Sequence, residues 1–183
     1  MEQLSDEDIM MAVKDGRTKE LAILYEKHKH RFYNYFVKMT MDRELSQDLL
    51  QNLFVRILKY KHSYRASQPF LPWCYRMARN MAYDAFKNQA GANASLPIED
   101  VAAQLVDLSV SAAEIEKEKL LMVAIAQLPE SKRELIIWSK IEGQRYEAIA
   151  HIRDTTVGAI KVQVHRAMAA LRKIYFEVYE ANM

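Results

Sequence analysis

Side chains able to hold a single nucleic-acid strand are concentrated between residues 64 and 87, where cations, amides and aromatic rings alternate. Arginine and lysine neutralise backbone phosphates, while rings and amides receive unstacked bases. Helical spacing places most of these side chains on one outward face of a helix. The candidates are Tyr64, Arg65, Ser67, Trp73, Arg76, Arg79, Asn80, Tyr83 and Lys87. Trp73 also has an interpretation as an ordinary core residue, since tryptophan is usually largely buried.

A second candidate surface lies in residues 146–173, YEAIAHIRDTTVGAIKVQVHRAMAALRK. A short helix meets a tight turn at residues 153–155, and the Thr156 hydroxyl can then accept a free backbone N–H at the start of the next helix. This order is typical of a helix-turn-helix, whose second helix enters the major groove of DNA. The candidate DNA contacts are Thr156, Val157, Gly158, Lys161, Val162, His165 and Arg166.

The alternative for this segment is a plain helical hairpin, and Val162 argues against it. The apolar stripe of the second helix is Val157, Ile160, Val164, Ala167 and Leu171. Val162 lies roughly opposite that stripe, where packing gives no reason for an apolar residue. A valine there can touch a thymine methyl group, while Lys161 and Arg166 reach phosphate or guanine.

A third polar face belongs to a helix predicted over residues 43–61. Asp48, Gln51, Asn52, Arg56 and Lys59 recur at helical spacing opposite the apolar stripe of this helix. From the residues alone, a solvated polar face is the simpler interpretation, because most amphipathic helices have one.

The elements that must position these residues are all helices. Glycine and proline number four each among 183 residues, so helix is favoured almost throughout. Helices are predicted over residues 6–15, 19–39, 43–61, 73–88, 112–127, 131–142, 145–153 and 157–178, with a loop at 62–72. The first starts with a capping box of Ser5 and Asp8 and stops at Gly16. The core stripes of the next three are Leu21, Tyr25, His28, Phe32, Phe36 and Met39; Leu45, Leu49, Leu53, Ile57 and Tyr60; and Cys74, Met77, Ala78, Met81, Ala82 and Ala85.

The charge pattern divides the chain into two basic blocks. Residues 17–90 carry a net charge of +8 and residues 131–183 a net charge of +3, whereas residues 91–130 carry −5. The segment from residue 89 to 111 is small, polar and then acidic, and we place a linker there between domains 1–88 and 112–183. Two polyanion-facing modules joined by a segment that avoids polyanions fit this pattern, although random patchiness of surface charge also produces such blocks.

Several functional classes find no support in the sequence. Cys74 is the single cysteine and sits on an apolar face, so we interpret it as an inert core thiol rather than a redox group. The histidines show no metal-ligand spacing, and no Gly-rich phosphate loop or HExxH motif occurs. We therefore expect no enzyme activity, metal or cofactor.

An acidic N-terminus and the lack of a long apolar run point to the cytoplasm, without membrane insertion.

Taken in order, the motifs resemble the extracytoplasmic-function (ECF) sigma factors of bacterial RNA polymerase. The resemblance covers roughly residues 17–90 and 112–175 and rests on DLLQNLFVRIL, FLPWCYRMARNMAYDAFK, LPESKRELIIWSKIEGQRYEAIAHI and VGAIKVQVHRAMAALRK. It implies an all-α fold with a region 2-like bundle and a region 4-like helix-turn-helix, joined by a flexible acidic linker. It also implies three partners, namely core RNA polymerase, promoter DNA and, in many relatives, an anti-sigma factor.

The resemblance assigns roles that the residues alone leave open. The face of Asp48, Gln51, Asn52 and Arg56 matches the family's docking surface for the polymerase, which replaces the solvated-face interpretation. Residues 64–87 match the part that binds and opens the minus-ten element, with Asn80 near the flipped base. The helix-turn-helix matches the reader of the minus-thirty-five element.

This sequence also departs from the family pattern. Asn52 stands where glutamate is usual, which predicts altered polymerase docking, and residues 153–156 replace a common Leu-Gly-Ile-Ser turn. Less positive charge on the second helix makes recognition of the minus-thirty-five element the weakest part of the resemblance. The alternatives are a stand-alone helix-turn-helix regulator, a nucleic-acid-modifying enzyme and a degenerate sigma-like decoy.

Overall fold

A computed structural model describes residues 4–89 and 112–181, and every regular element within those two stretches is helical. The predicted all-α class is confirmed. The chain divides into two compact units, Met1–Asn88 and Gln89–Met183. The linker predicted at residues 89–111 lies almost entirely outside the described residues.

The first unit contains four α-helices: α1 Asp6–Lys14, α2 Leu21–Thr40, α3 Arg43–Lys59 and α4 Phe70–Gln89. Helix α1 begins as predicted, because the Ser5 hydroxyl accepts the Asp8 N–H while the Asp8 carboxylate accepts the Ser5 N–H. Asp42 caps α3 by accepting the Leu45 N–H at 2.9 Å. Short 3-10 turns, Thr18–Glu20 and Lys61–Ser63, precede α2 and follow α3.

Aromatic rings fill the core of the first unit, where the predicted stripes of α2, α3 and α4 face inward. Phe32 on α2 is fully buried and lies 4.8 Å from the ring of Tyr75 on α4. Phe54 on α3 meets the ring of Tyr25 edge-on at 4.9 Å. Edge-on and tilted ring pairs of this kind add specific attraction to the hydrophobic burial.

Two boundary predictions in this unit are wrong. Tyr60, predicted as the last core residue of α3, is 48% exposed, because the helix ends at Lys59 and the Tyr60 backbone turns away from the stripe. The loop predicted over 62–72 is shorter, since α4 already begins at Phe70 and includes Pro72 in its first turn. Proline is tolerated there because the first N–H groups of a helix have no acceptor within the helix.

The second unit contains α5 Ala112–Ala126, α6 Glu130–Ile136, α7 Tyr146–Arg153 and α8 Val157–Ala181. Helix α6 continues into a π-helical segment, Ile137–Ile141, whose Ile137 and Trp138 are fully buried. Helices α5, α6 and α7 all pack on α8. The buried residues of α8 include Ile160, Val164, Ala167 and Leu171, which are the predicted stripe apart from the half-buried Val157.

Candidate nucleic-acid and partner interfaces

The outward face of α3 carries the residues predicted to dock on a protein partner. Asp48, Gln51, Asn52, Arg56 and Lys59 are all exposed. Val55 lies among them and is 63% exposed, and Leu58 beside them is 39% exposed. A solvated face has no need of two exposed branched apolar residues, whereas a partner-binding surface commonly combines such residues with charged ones.

Val55 was not among the predicted surface contacts, although the pattern that identified Val162 is also present on α3. Both are apolar residues placed opposite a helical core stripe, where packing gives no explanation for them. On α3 the stripe of Leu49, Leu53 and Ile57 is buried and puts Val55 on the far side.

The segment between α3 and α4 brings some of the predicted strand-binding residues to the surface and buries one. Arg65 and Ser67 are exposed, and Trp73 is half-buried. Tyr64 was predicted to contact DNA, but its side chain is fully buried, so that prediction is wrong for the ring. The Tyr64 hydroxyl donates a hydrogen bond to the Gln68 carbonyl at 2.8 Å, and the ring meets Trp73 edge-on at 5.1 Å. Burial raises the pKa of Tyr64 well above its ordinary value, which keeps the hydroxyl protonated.

The outward face of α4 combines cations, an amide and a ring. Asn80 and Lys87 are exposed, while Arg76, Arg79 and Tyr83 are half-buried. The Arg79 guanidinium lies over the Tyr83 ring, 4.8 Å from its centroid. This cation–π contact fixes the position of a positive charge on the helix surface.

Cys74, on the opposite side of α4, faces the core. Its side chain is fully buried, and this desolvation raises the pKa of the thiol well above its ordinary value. A buried, protonated thiol is a poor nucleophile, so the interpretation of Cys74 as an inert core residue holds.

The helix-turn-helix of the second unit forms at the predicted place. Helix α7 ends at Arg153, Asp154 adopts a left-handed conformation with φ of 53°, and Thr156 caps α8 by accepting the Ala159 N–H at 3.1 Å. Among the predicted DNA contacts, the residues exposed at the start of α8 and along its next two turns are Thr156, Gly158, Lys161, Val162, His165 and Arg166. Val162 is 51% exposed, as expected of an apolar residue outside the stripe.

Asp154 occupies a backbone conformation that favours glycine, which leads to a first prediction. We expect Asp154→Gly to raise the free energy of unfolding by about 0.5–1 kcal/mol, because glycine has no Cβ to clash in the left-handed region. Urea unfolding followed by circular dichroism measures the change. Asp154→Ala is the matched control and should destabilise the protein, and a stability gain in the alanine variant would contradict the explanation.

A buried carboxyl group on α6 lies close to this turn. Glu134 is fully buried, and its Oε2 lies 3.9 Å from the Nε of Arg153, the last residue of α7. The neighbouring Arg133 donates to the carbonyls of Ala126 and Leu128, which ties α6 to the end of α5. No local pattern indicates a carboxyl group inside this core, because Glu134 directly precedes the apolar run of residues 135–138 and the sequence leaves the orientation of its side chain open.

No group of three or more potential metal ligands occurs within residues 4–89 and 112–181. In the same two stretches, no helix is long and apolar enough to cross a membrane.

The two units match the two conserved parts of one class of transcription protein. The sequence model of sigma-70 region 2 matches residues 24–91, and that of sigma-70 region 4 matches residues 118–171. Sigma factors that carry these regions bind core RNA polymerase and direct initiation at promoters, and they are not enzymes. The chain belongs to the extracytoplasmic-function sigma factor family.

Individual relatives resemble the chain over nearly its whole length. RNA polymerase sigma factor CarQ of Myxococcus xanthus is 28% identical over 169 residues, covering 92% of this chain and 97% of the relative. The ECF RNA polymerase sigma-E factor of Escherichia coli K12 is 26% identical over 180 residues, covering 93% and 94%. The alternatives of a stand-alone regulator and a decoy gain no support from these matches.

Two solved structures share the fold at lower identity. CnrH, in complex with the cytosolic domain of CnrY, superposes with a TM-score of 0.72 at 18% identity and covers 92% of this chain and 96% of its own. The sigma factor RpoE of Bartonella quintana, in complex with the anti-sigma factor NepR, gives a TM-score of 0.61 at 20% identity, covering 88% and 96%.

Proposed function

We propose that the two units divide promoter recognition between them. The domain of residues 1–88 docks on core RNA polymerase and binds the opened minus-ten element, and the domain of residues 112–183 reads the minus-thirty-five element as duplex. Residues 89–111 join them. The observation that carries this proposal is that each unit separately exposes a surface suited to DNA, one on α4 and one on α8, inside the segments that match sigma regions 2 and 4.

In the first unit, α3 supplies the docking surface through Asp48, Gln51, Asn52 and Arg56, with Val55 as an added apolar contact. The melted strand is bound by the exposed Arg65 and Ser67 and by the outward face of α4. Guanidinium groups neutralise phosphates there, and Asn80 offers an amide to an unpaired base. Trp73, half-buried at the start of α4, lines the edge of this surface.

In the second unit, the start of α8 enters the major groove. Thr156 and the free N–H groups at the helix start face the phosphate backbone, while Lys161, Val162 and Arg166 reach toward the base edges and phosphates. Each module alone binds weakly. Holding both on one polymerase makes the second contact intramolecular, which raises the effective concentration of each module at its DNA element.

An anti-sigma factor is a further proposed partner. The support is that a sigma factor of the same fold, RpoE of Bartonella quintana, is known in complex with the anti-sigma factor NepR. Core RNA polymerase and chromosomal DNA are cytoplasmic in bacteria, and we place this protein with them.

The test of the proposed function combines two measurements on the full-length protein. It is first used to capture bacterial core RNA polymerase, and the resulting holoenzyme is then supplied with a pool of promoter fragments for run-off transcription. Capture together with new start sites supports the proposal. Capture without initiation indicates a decoy, and duplex DNA binding without capture indicates a stand-alone regulator.

Lys161 gives a second prediction, on the salt dependence of duplex binding. If its exposed ammonium group meets a phosphate, Lys161→Ala should weaken closed-complex formation by the holoenzyme and flatten the plot of log affinity against log salt by about one unit. The measurement is a salt titration at a temperature too low for promoter opening.

Lys173→Ala is the matched control for this experiment. Lys173 is 79% exposed on the same helix but lies three turns further along, beside Glu177. The Lys173→Ala variant removes the same charge and should leave the slope of log affinity against log salt unchanged. An unchanged slope for Lys161→Ala, or an equal change in both variants, would remove Lys161 from the phosphate contacts.

A further inference from the structure

Helix α1 contacts the segment that joins α3 to α4 through three long-range hydrogen bonds. The Glu7 carboxylate accepts the Phe70 N–H at 2.9 Å, and the Lys14 ammonium donates to the Tyr64 carbonyl at 2.6 Å. In the reverse direction, the Lys61 ammonium donates to the Val13 carbonyl at 3.4 Å. The region 2 match begins at residue 24, so α1 lies outside it.

Glu7 acts as the cap of α4 from another helix. The first N–H groups of a helix have no acceptor within it, and a side-chain oxygen just before the helix usually supplies one. Helices α1, α3 and α8 have such residues in Ser5, Asp42 and Thr156, but the residue before Phe70 is Pro69, which has no side-chain oxygen. A carboxylate at this end also complements the positive end of the helix dipole.

Lys14 fixes the other end of the same short segment. Tyr64, whose carbonyl it holds, is the last buried residue before the exposed stretch 65–67. The Tyr64 hydroxyl bonds to the Gln68 carbonyl and closes the turn from within. The exposed stretch, with Arg65 and Ser67, is therefore held between Tyr64 and Phe70, two points that are both bonded to α1.

Helix α1 is itself anchored on α2, so it can act as a fixed support. Asp6 lies 2.7 Å from both the Lys27 ammonium and the His28 Nε2. Burial lowers the pKa of His28 below its ordinary value although Asp6 opposes the shift, so the ring is neutral at pH 7 and donates a hydrogen bond. Met10 and Val13 of α1 are fully buried.

We propose that Glu7 and Lys14 are positioning residues for promoter opening: α1 presets the exposed stretch 65–67 and the first turn of α4 in the conformation that receives the unpaired minus-ten strand. This inference rests on the proposed function of that surface. When the surface is already ordered, strand binding does not incur the conformational-entropy cost of ordering it, and the affinity for the strand is higher. Neither residue contacts the DNA itself.

The experiment uses holoenzymes assembled with full-length variants and a fluorescent single-stranded oligonucleotide carrying the minus-ten element selected from the promoter pool. Lys14→Met and Glu7→Ala should each weaken strand binding about tenfold, since the loop must then be ordered on binding. Glu7→Gln keeps an oxygen for the Phe70 N–H and should recover most of that loss. Lys19→Met, an exposed lysine in the turn before α2, is the matched control and should bind as the parent does.

Two further readouts separate positioning from loss of fold. Affinity for core polymerase should stay within about twofold, because the α3 surface is not altered. Amide hydrogen exchange should rise in residues 61–72 of Lys14→Met and Glu7→Ala, while peptides from α2 and α3 keep their protection. Exchange that rises throughout the unit would make α1 a general stabilising element and overturn the proposal. Faster exchange in the loop with unchanged strand binding would overturn it as well.

Arg65→Ala and Asn80→Ala, measured in parallel, distinguish the failure of this inference from the failure of the proposed function. If both variants hold the strand as tightly as the parent, the loop and α4 do not bind it, and both proposals fall. If both lose affinity while the α1 variants do not, the strand-binding surface stands and only the positioning role of α1 is wrong.

Discussion

Arg56→Glu should abolish docking on core RNA polymerase and leave the helical fold intact. Arg56 is exposed on the outward face of α3, away from the buried Leu53 and Ile57, so replacing it removes no core contact. A reversed charge within a protein interface loses an attraction and adds a repulsion, each of several kcal/mol when desolvated. We expect the affinity for core polymerase to fall about 100-fold or more, measured by fluorescence anisotropy of labelled protein.

Arg17→Glu is the matched control for this prediction. Arg17 is exposed in the turn after α1, and Arg17→Glu makes the same change of charge outside the α3 surface. The control should bind polymerase within about twofold of the parent, since a distant exposed charge is largely screened by salt. Circular dichroism and thermal melting of both variants establish that the fold is retained. Unimpaired polymerase capture by a fully helical Arg56→Glu protein would remove the α3 face from the proposed function.

Local signals were sufficient for much of the fold. The capping box of Ser5 and Asp8 joins residues three apart, and it specifies the start of α1 without information from the rest of the chain. Gly16, with φ of 103°, ends that helix in a conformation other residues avoid. The stripes of α2 and α8 were also readable, because a helical period repeated over several turns leaves few alternatives.

Predictions failed where the structure depends on contacts between distant residues. Tyr64 lies in a polar, proline-containing stretch, and its composition gave no sign that the loop turns the ring into the aromatic core. The Phe70 N–H at the start of helix α4 is bonded to the carboxylate of Glu7, 63 residues earlier. Such a contact exists only after α1 and α4 have packed in one unit, so local periodicity and turn chemistry cannot show it.

The candidate surfaces were easier to predict than the residues that support them. Exposed side chains such as Asn80 and Lys161 follow from helical phase once the buried stripe is known. No local pattern predicts the pairing of Glu134 with Arg153, because the two residues lie 19 positions apart on different helices. The Glu134 side chain is also fully buried, which is unusual for a carboxylate. The sequence therefore predicts which side chains are exposed better than it predicts which contacts hold them in place.

The ion pair of Glu134 and Arg153 gives the largest expected effect on stability. Arg153→Met should lower the free energy of unfolding of the second unit by about 2 kcal/mol, because it removes a cation that lies 3.9 Å from a fully buried carboxyl group. Arg153 is also the residue from which the turn into α8 begins. The same variant should therefore weaken closed-complex formation, as the start of α8 loses its fixed orientation. Urea unfolding monitored by hydrogen exchange measures the stability of this unit separately.

A double-mutant cycle decides whether the charge, rather than the packing of Arg153, is responsible. Glu134→Leu combined with Arg153→Met replaces the pair by apolar side chains and should recover most of the stability, since such replacements of buried ion pairs are often neutral. Glu134→Leu alone should cost less than Arg153→Met, because the Arg153 side chain that it leaves behind is 16% exposed whereas the Glu134 side chain is fully buried. If Arg153→Met costs less than about 1 kcal/mol, or if the double variant is no more stable than Arg153→Met, the pair does not stabilise the turn electrostatically.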